Sequence, residues 1–430
     1  MFKPIQKLEV RRTFSDGSDT LVGLLAQNKQ GVFFEYDADY LSDFHSLSPF
    51  NLQHSNELQL APSQPHSGLH GAFADSLPDG WGLLLQDRVF RQHGILPAQV
   101  TAMDRLAFVG QSAMGALSFT PLSDYAPQHH GDIELATLGL EAQALFDGQT
   151  EKVLASLVAA GSSGGARPKA QLYFPENDAS HCRTYPAEGD DAWLVKFTSK
   201  NLALGHEEGL CEAAYLTMAA RAGLAPPEWQ LLDAPTQSGA SHWLALKRFD
   251  RVKNNKGGDG KLHMHSACGL LDADFRSPSL DYEDLIKASR VLCQSPAVGQ
   301  LQFRRAMFNL FACNQDDHSK NWAFLQDDGG SWSPAPFYDV TFNPHPFGEH
   351  STSFAGYGKS PPLKTIKALA KTASFAQWQQ AQESIEEVVS VIAEFGGIAK
   401  ALGVKADTIR LIEKQLTEVR RDNQRNMVKK

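Results

Sequence analysis

Asn314-Gln315-Asp316-Asp317-His318-Ser319-Lys320-Asn321, followed downstream by Pro336-Phe337-Tyr338-Asp339, is where the chain shows its chemistry. The octapeptide crowds charged and amide side chains directly behind an apolar helix predicted over Ala297–Cys313, a density that is costly to bury and that folding does not need. Asp316 precedes Asn321 by five positions. Asp and Asn have that separation in the protein-kinase catalytic loop, where Asp accepts the substrate hydroxyl proton and Asn holds a metal. Trp322–Leu325 reads as a strand, Asp327-Asp328-Gly329-Gly330 as a tight turn and Ser331–Phe337 as a returning strand. Such a hairpin carries Asp339 back within reach of Asn321 and Asp316. Two carboxylates and an amide on one side of it form an oxygen-rich site suited to Mg²⁺. The alternative is an Asx-rich turn whose carboxylates only cap backbone.

Working outward, Gly161-Ser162-Ser163-Gly164-Gly165-Ala166-Arg167-Pro168-Lys169 is a small-residue loop whose N–H groups can approach phosphate oxygens, or a linker. It lacks the Gly-x-x-x-x-Gly-Lys-Ser/Thr of a P-loop. The β-prone segments Gln171–Phe174 and Trp193-Leu194-Val195-Lys196-Phe197 follow it. A lysine inside an apolar strand is expensive unless paired, and kinases use one there to hold nucleotide phosphates; an edge lysine with its head in water is the other reading. A helix is predicted over His206–Ala222, with Glu212 the best-placed partner for Lys196 and Glu207 and Glu208 as competitors. Trp243–Leu246 reads as another strand, and Lys253–Lys261 as a mobile turn. Beyond it the pattern is helical near Tyr282–Leu292, Leu363–Lys371, Phe375–Phe395 and Lys405–Met427. Before the loop, residues up to about 125 are strand-rich, with Gly31–Tyr36 a β-prone run and one helix predicted from Asp79-Gly80-Trp81 to just before Gly94.

The 430 residues exceed what one hydrophobic core usually organises. A net charge of −9 argues against a surface that tracks nucleic acid throughout, and the basic stretch from Ile409 to Lys430 reads as a solvated helix end. The cysteines Cys182, Cys211, Cys268, Cys293 and Cys313 are scattered and form no C-x-x-C pair, which points to a reducing cytoplasm rather than to disulfides or zinc. No signal-peptide core and no membrane-length apolar run is present. His129 and His130 read as polar filler, and His263 and His265 as a strand pair or surface histidines rather than metal ligands.

With these residues in view, the chain resembles the HipA family of toxin kinases along most of its length. Asn314–Asn321 looks like the family's Asn-x-Asp-x-His-x-Lys-Asn motif, Tyr338-Asp339 like its metal-binding Tyr-Asp, and Arg248-Phe249-Asp250-Arg251 like its hinge motif. Phe73–Trp81 and Gly115-Ala116-Leu117 resemble stretches of its N-terminal subdomain. The glycine-rich loop is richer in Gly and Ser than the family pattern, and Leu262-His263-Met264-His265-Ser266 lacks the acidic residue expected after Leu-His.

The resemblance implies an α+β, HipA-like kinase fold: a β-rich N-terminal subdomain over 1–125, a kinase N-lobe-like region over 126–250 and a helical C-lobe over 251–430. It implies a serine/threonine-protein kinase using ATP and Mg²⁺, with Asp316 as catalytic base, Asn321 and Asp339 as metal ligands, and Ser162, Ser163, Gly164, Gly165, Lys196, Arg248, Phe249, His318 and Lys320 around ATP. It further implies autophosphorylation at Ser162 or Ser163, protein substrates such as aminoacyl-tRNA synthetases, and a helix-turn-helix, HipB-like antitoxin through which alone DNA is contacted. A small-molecule kinase would share the same centre. A catalytically silent DNA-associated regulator is a further alternative, against which the intact Asp316, Asn321, Asp339 and Lys196 count.

Overall fold

The computed structural model describes residues 2–126, 131–151, 153, 155–161, 163–175, 178, 180–253 and 259–427, so Ser162, His129 and His130 lie outside the described residues. An antiparallel sheet forms first, from β1 (Lys7–Thr13), β2 (Asp19–Asn28), β3 (Gly31–Tyr36), β4 (Gln59–Leu60) and β5 (Leu117–Thr120), in the order β4-β3-β2-β1-β5. The two-residue period of β1 turns Leu8, Val10 and Arg12 inward and leaves Lys7 and Glu9 in water. Arg12 thus stands where an apolar side chain is expected, and its reason lies outside the sheet. Its guanidinium donates to Gln326 Oε1 at 2.9 Å and to the Asp327 carbonyl at 3.1 Å, tying this subdomain to the C-lobe.

Helix α1 (Gly80–Gln92) lies within the first 125 residues, yet Trp81, Leu85, Val89 and Phe90 bury against the second unit's core, with Leu172, Val195, Phe197 and Trp243. That unit is a four-stranded antiparallel sheet of β6 (Lys169–Phe174), β7 (Asp191–Lys196), β8 (Trp229–Asp233) and β9 (His242–Lys247), ordered β8-β9-β7-β6. Helix α2 (Glu208–Arg221) packs on it through Ala213 and Leu216, while Leu210, Cys211, Tyr215 and Met218 enter the C-lobe core, so one helix serves both lobes.

In the C-lobe, α3 (Tyr282–Leu292), α4 (Pro296–Ala312), α5 (Leu363–Thr372), α6 (Trp378–Ile392), α7 (Phe395–Ala401) and α8 (Ala406–Met427) surround one apolar cluster that includes Phe303, Met307, Phe308 and Phe311. Phe375–Phe395, expected as one helix, is instead a loop leading into α6, after which the chain turns into the short α7. The expected hairpin forms from β11 (Ala323–Gln326) and β12 (Trp332–Pro334), and β10 (His263–Ser266) joins it on the other side of β11. Its second strand is shorter than predicted, because Pro334 and Pro336 supply no N–H to continue the ladder. His263 and His265 are the strand pair and not the surface alternative: both are fully buried. Among the described residues no helix is long and apolar enough to cross a membrane.

Candidate active site

Lys196 ends β7, and its ammonium bonds Glu212 on α2 at 2.6 Å and Asp339 at 2.7 Å. Glu212 is therefore the partner the sequence favoured; Glu208 pairs instead with Arg167 at 3.2 Å and Glu207 with Lys405 at 3.1 Å. Burial alone would lower Lys196, but Asp339 and Glu212 together hold it above its usual value. For Glu212 burial prevails over the attraction of Lys196, and the carboxyl sits above the ordinary carboxylate range. Asp339 moves the other way. Although burial opposes it, the nearby Lys196 and Lys169 keep its carboxyl far below that range. Its backbone is left-handed, with φ 56°, a conformation that costs a non-glycine residue energy and persists only where the surroundings impose it.

The loop after α4 is anchored from below. Asp317 is buried and accepts from Tyr282, from His350 at 2.9 Å and from the Thr352 N–H at 3.2 Å. This anchoring turns the neighbouring Asp316 toward the cleft, half exposed, where Asn343 donates to it at 3.2 Å and Asn321 Nδ2 reaches its main-chain carbonyl at 2.7 Å. Loss of water around the carboxyl on its cleft side and the charge of Asp339 raise Asp316, against the pull of His318, whose Nε2 is 3.8 Å away. The Tyr338 hydroxyl donates to the Lys320 carbonyl at 2.6 Å, which brings the end of the hairpin back beside Asn321.

The glycine-rich loop lies opposite. Its residue Gly165 donates its N–H to Asp79, and Trp81 N donates to the Gly165 carbonyl at 3.0 Å. Lys169 Nζ donates to the Gly164 carbonyl at 2.5 Å, and burial lowers its pKa to about 8. Asp79 also takes Lys320 at 2.8 Å, so it joins the glycine-rich loop to the Asn314–Asn321 loop.

One cleft of about 480 Å³ runs between these walls, a volume usual for a small-molecule site. It is lined by Ser163, Gly164, Gly165, Lys196, Asp316, His318, Lys320, Asn321 and Asp339, and at its apolar end by Leu194, Leu246, Phe249 and Met264. Every described residue that the sequence proposed for ATP or metal faces it. Arg248 does so differently from the others. Its guanidinium is already spent on Asp250, Gln171 and the Ala113 carbonyl, which leaves only its remaining surface to the cleft.

The donor set suits the expected groups. Asp316, Asp339 and Asn321 offer oxygens of the kind a hard divalent cation takes, and a cation there would supply positive charge to phosphates. The buried Thr341 hydroxyl and His318 Nδ1 at the cleft wall have no hydrogen-bond partner among the described residues. Sequence reasoning missed Asp79, Lys169, Asp317 and Asn343 as contributors. Asp79, Lys169 and Asp317 stand in the sequence only as members of Phe73–Trp81, Gly161–Lys169 and Asn314–Asn321, with no role of their own.

The architecture thus defines a kinase-like α+β fold carrying an extra β-rich subdomain. Residues 161–395 match the model of the HipA-like C-terminal domain and residues 17–120 that of the HipA N-terminal domain. The first of these spans more than half of the chain, which belongs to the HipA family. Two curated relatives from Sinorhizobium fredii (strain NBRC 101917 / NGR234) are similar to it. "Putative kinase Y4mE" is 25% identical over 74% of this chain and 74% of its own. "Putative kinase Y4dM" is 30% identical over 36% of this chain, a match spanning only 39% of that relative. The fold also matches a chain of the Shewanella oneidensis MR-1 toxin–antitoxin complex of HipA, HipB and operator DNA, with a TM-score of 0.69 at 16% identity over 98% of this chain and 97% of that one.

Proposed function

We propose that the cleft binds Mg·ATP and transfers the γ-phosphoryl group to a serine or threonine hydroxyl of a protein. The observation that carries this reading is the convergence of Asp316, Asn321 and Asp339 with the Lys196–Glu212 pair beneath a glycine-rich loop. Asp316 accepts the hydroxyl proton, and the surrounding protein together with the charge of Asp339 raises its carboxyl above the ordinary range, the direction a base needs. Asn321 and Asp339 hold the metal, which neutralises the phosphates when bound. Lys196, oriented by Glu212, contacts phosphate oxygens, Gly164 and Gly165 offer backbone N–H groups, and His318 and Lys320 stand at the reacting end. The apolar end between Leu194, Leu246 and Phe249 accepts the base.

The chain then acts in the cytoplasm as the toxin of a toxin–antitoxin pair, with a HipB-like helix-turn-helix protein as its antitoxin and DNA reached only through that partner. The solved relative that lies in a complex with HipB and operator DNA supports this partner class. Autophosphorylation at Ser162 or Ser163 would place about two negative charges where triphosphate must sit, and so switch the kinase off. The test is incubation with γ-labelled Mg·ATP and cell protein. Wild type is expected to label Ser or Thr in lysate proteins and in its own loop, and Asp316→Asn to reduce labelling about 10²-fold or more with unchanged melting. Wild-type labelling in that variant would remove Asp316 from the mechanism, and label only on small molecules would replace the protein acceptor.

A further inference from the structure

The segment after Asp339 continues along the cleft. Val340 and Phe342 turn into the C-lobe core, while Asp339, Thr341 and Asn343, which alternate with them, line the cleft wall. Asn343 is the member of this row that reaches Asp316. Its main chain is fixed without help from its side chain. Asn343 N donates to the Cys313 carbonyl at 3.2 Å and Gln315 N to the Asn343 carbonyl at 3.1 Å, which forms a parallel bridge against the Asn314–Asn321 loop. The side-chain amide is not needed to hold the segment, and its Nδ2 makes one bond, to Asp316 Oδ2 at 3.2 Å.

That bond makes the two oxygens of the Asp316 carboxylate unequal. Oδ2 is taken by Asn343. Oδ1 accepts no hydrogen bond among the described residues, since His318 Nε2, 3.8 Å from it, is too far to donate one. The Asp316 side chain is 51% exposed, and an exposed carboxylate samples several rotamers unless a partner selects one. Asn321 does not select it, because its amide holds the Asp316 main-chain carbonyl at 2.7 Å instead. Among the described residues, Asn343 is the one hydrogen-bond donor to this carboxylate.

We propose that Asn343 is a positioning residue for phosphotransfer: its N–H holds Asp316 Oδ2 and fixes the rotamer in which Oδ1 meets the acceptor hydroxyl. This rests on the reading of Asp316 as the base. The acceptor oxygen bonds the γ-phosphorus, its proton passes to Oδ1, and the bond from the γ-phosphorus to the bridging oxygen breaks to release ADP. An amide suits the task, because it orients the carboxylate without setting a full positive charge against it. The experiment uses γ-labelled Mg·ATP with dephosphorylated casein as the acceptor. It compares kcat and KM of wild type, Asn343→Ala, the isosteric Asn343→Asp, Asp316→Asn and the double variant Asn343→Ala/Asp316→Asn.

Asn343→Ala is expected to lower kcat about 10–10²-fold, with casein KM, Mg·ATP affinity by calorimetry and melting unchanged. Asn343→Asp keeps the shape but offers no N–H, and should do no better. In the Asp316→Asn background, Asn343→Ala should lower kcat no further, because the residue acts through that carboxylate. A wild-type kcat in either Asn343 variant overturns the proposal. So does a loss that recurs in full in the Asp316→Asn background, or one shared by KM, nucleotide affinity and melting, since Asn343 is then a brace of the fold. Each of those results leaves the base reading standing. That reading fails on its own, and takes the proposal with it, if Asp316→Asn keeps the wild-type rate or if wild type labels neither casein nor itself.

Discussion

At the scale of single residues, the cleft separates two carboxylates by environment. Asp339 is held ionised by lysines, while Asp316 is pushed upward by burial and by Asp339 itself. The first suits a metal ligand and the second a base. Asp339→Ala is expected to weaken Mg·ATP binding by about tenfold or more in calorimetry, since it removes one anionic oxygen from the cation and one of the two carboxylates on Lys196. Lys196 keeps Glu212, so melting should change little. Unchanged affinity would withdraw Asp339 as a ligand. The legible residues at this scale were those whose chemistry is unnecessary for folding: Asp316, Asn321, Asp339 and Lys196 stood out because burying or clustering them is costly. Asp317 was hidden for the opposite reason. Its carboxylate is satisfied inside the fold, and a structural aspartate leaves no pattern that separates it from its neighbour in the cleft.

At the scale of elements, periodicity located the strands and helices that carry their own apolar face, such as β6, β7, α2 and α4. It located others without showing which contacts bury them or hold them in place. His263 and His265 are buried because Asp75 of the N-terminal subdomain bonds His265 at 2.6 Å and the Leu47 carbonyl lies 2.9 Å from His263. The turn into α1 is a similar case. Gly80 has φ 42°, and a Cβ there would lie 2.6 Å from the Gly165 carbonyl oxygen and 2.7 Å from Ala166 Cα. Gly80→Ala is therefore expected to displace the glycine-rich loop, costing about 1–3 kcal/mol of stability together with a loss of nucleotide affinity. Thermal unfolding and calorimetry read the two effects. Full retention of both would mean that the close approach of α1 to the loop has no functional weight.

At the scale of the whole molecule, the N-terminal subdomain is packed into the other two and lends residues to the wall of the cleft. Arg12 reaches the hairpin turn, Asp75 bonds Ser266 N at 2.7 Å, and Asp250 of the hinge motif accepts from Gly115 N at 2.6 Å. The motifs of the first 125 residues that resemble the family's are thus its docking surfaces, which a reading of one subdomain alone could not explain. Asp79 makes the most consequential of these contacts, because it binds the glycine-rich loop through Gly165 and the Asn314–Asn321 loop through Lys320 at once. Burial by itself would raise its carboxyl, but Lys320 and the Gly165 N–H draw it below the ordinary range. A depressed carboxyl contributes stability that is present above the unfolded carboxylate pKa of about 4 and is lost as pH falls through the lower folded value. Asp79→Asn keeps the volume and removes the charge that holds Lys320. The variant is expected to melt below wild type at pH 7, with the gap closing as pH falls below about 4, and to bind Mg·ATP several-fold more weakly because the two loops are no longer held in register. Paired melting curves across that range, with calorimetry at pH 7, check both parts. A gap that stayed constant with pH would show that the Asp79–Lys320 charge pair contributes nothing, and equal nucleotide affinity would reduce Asp79 to a brace for the fold alone.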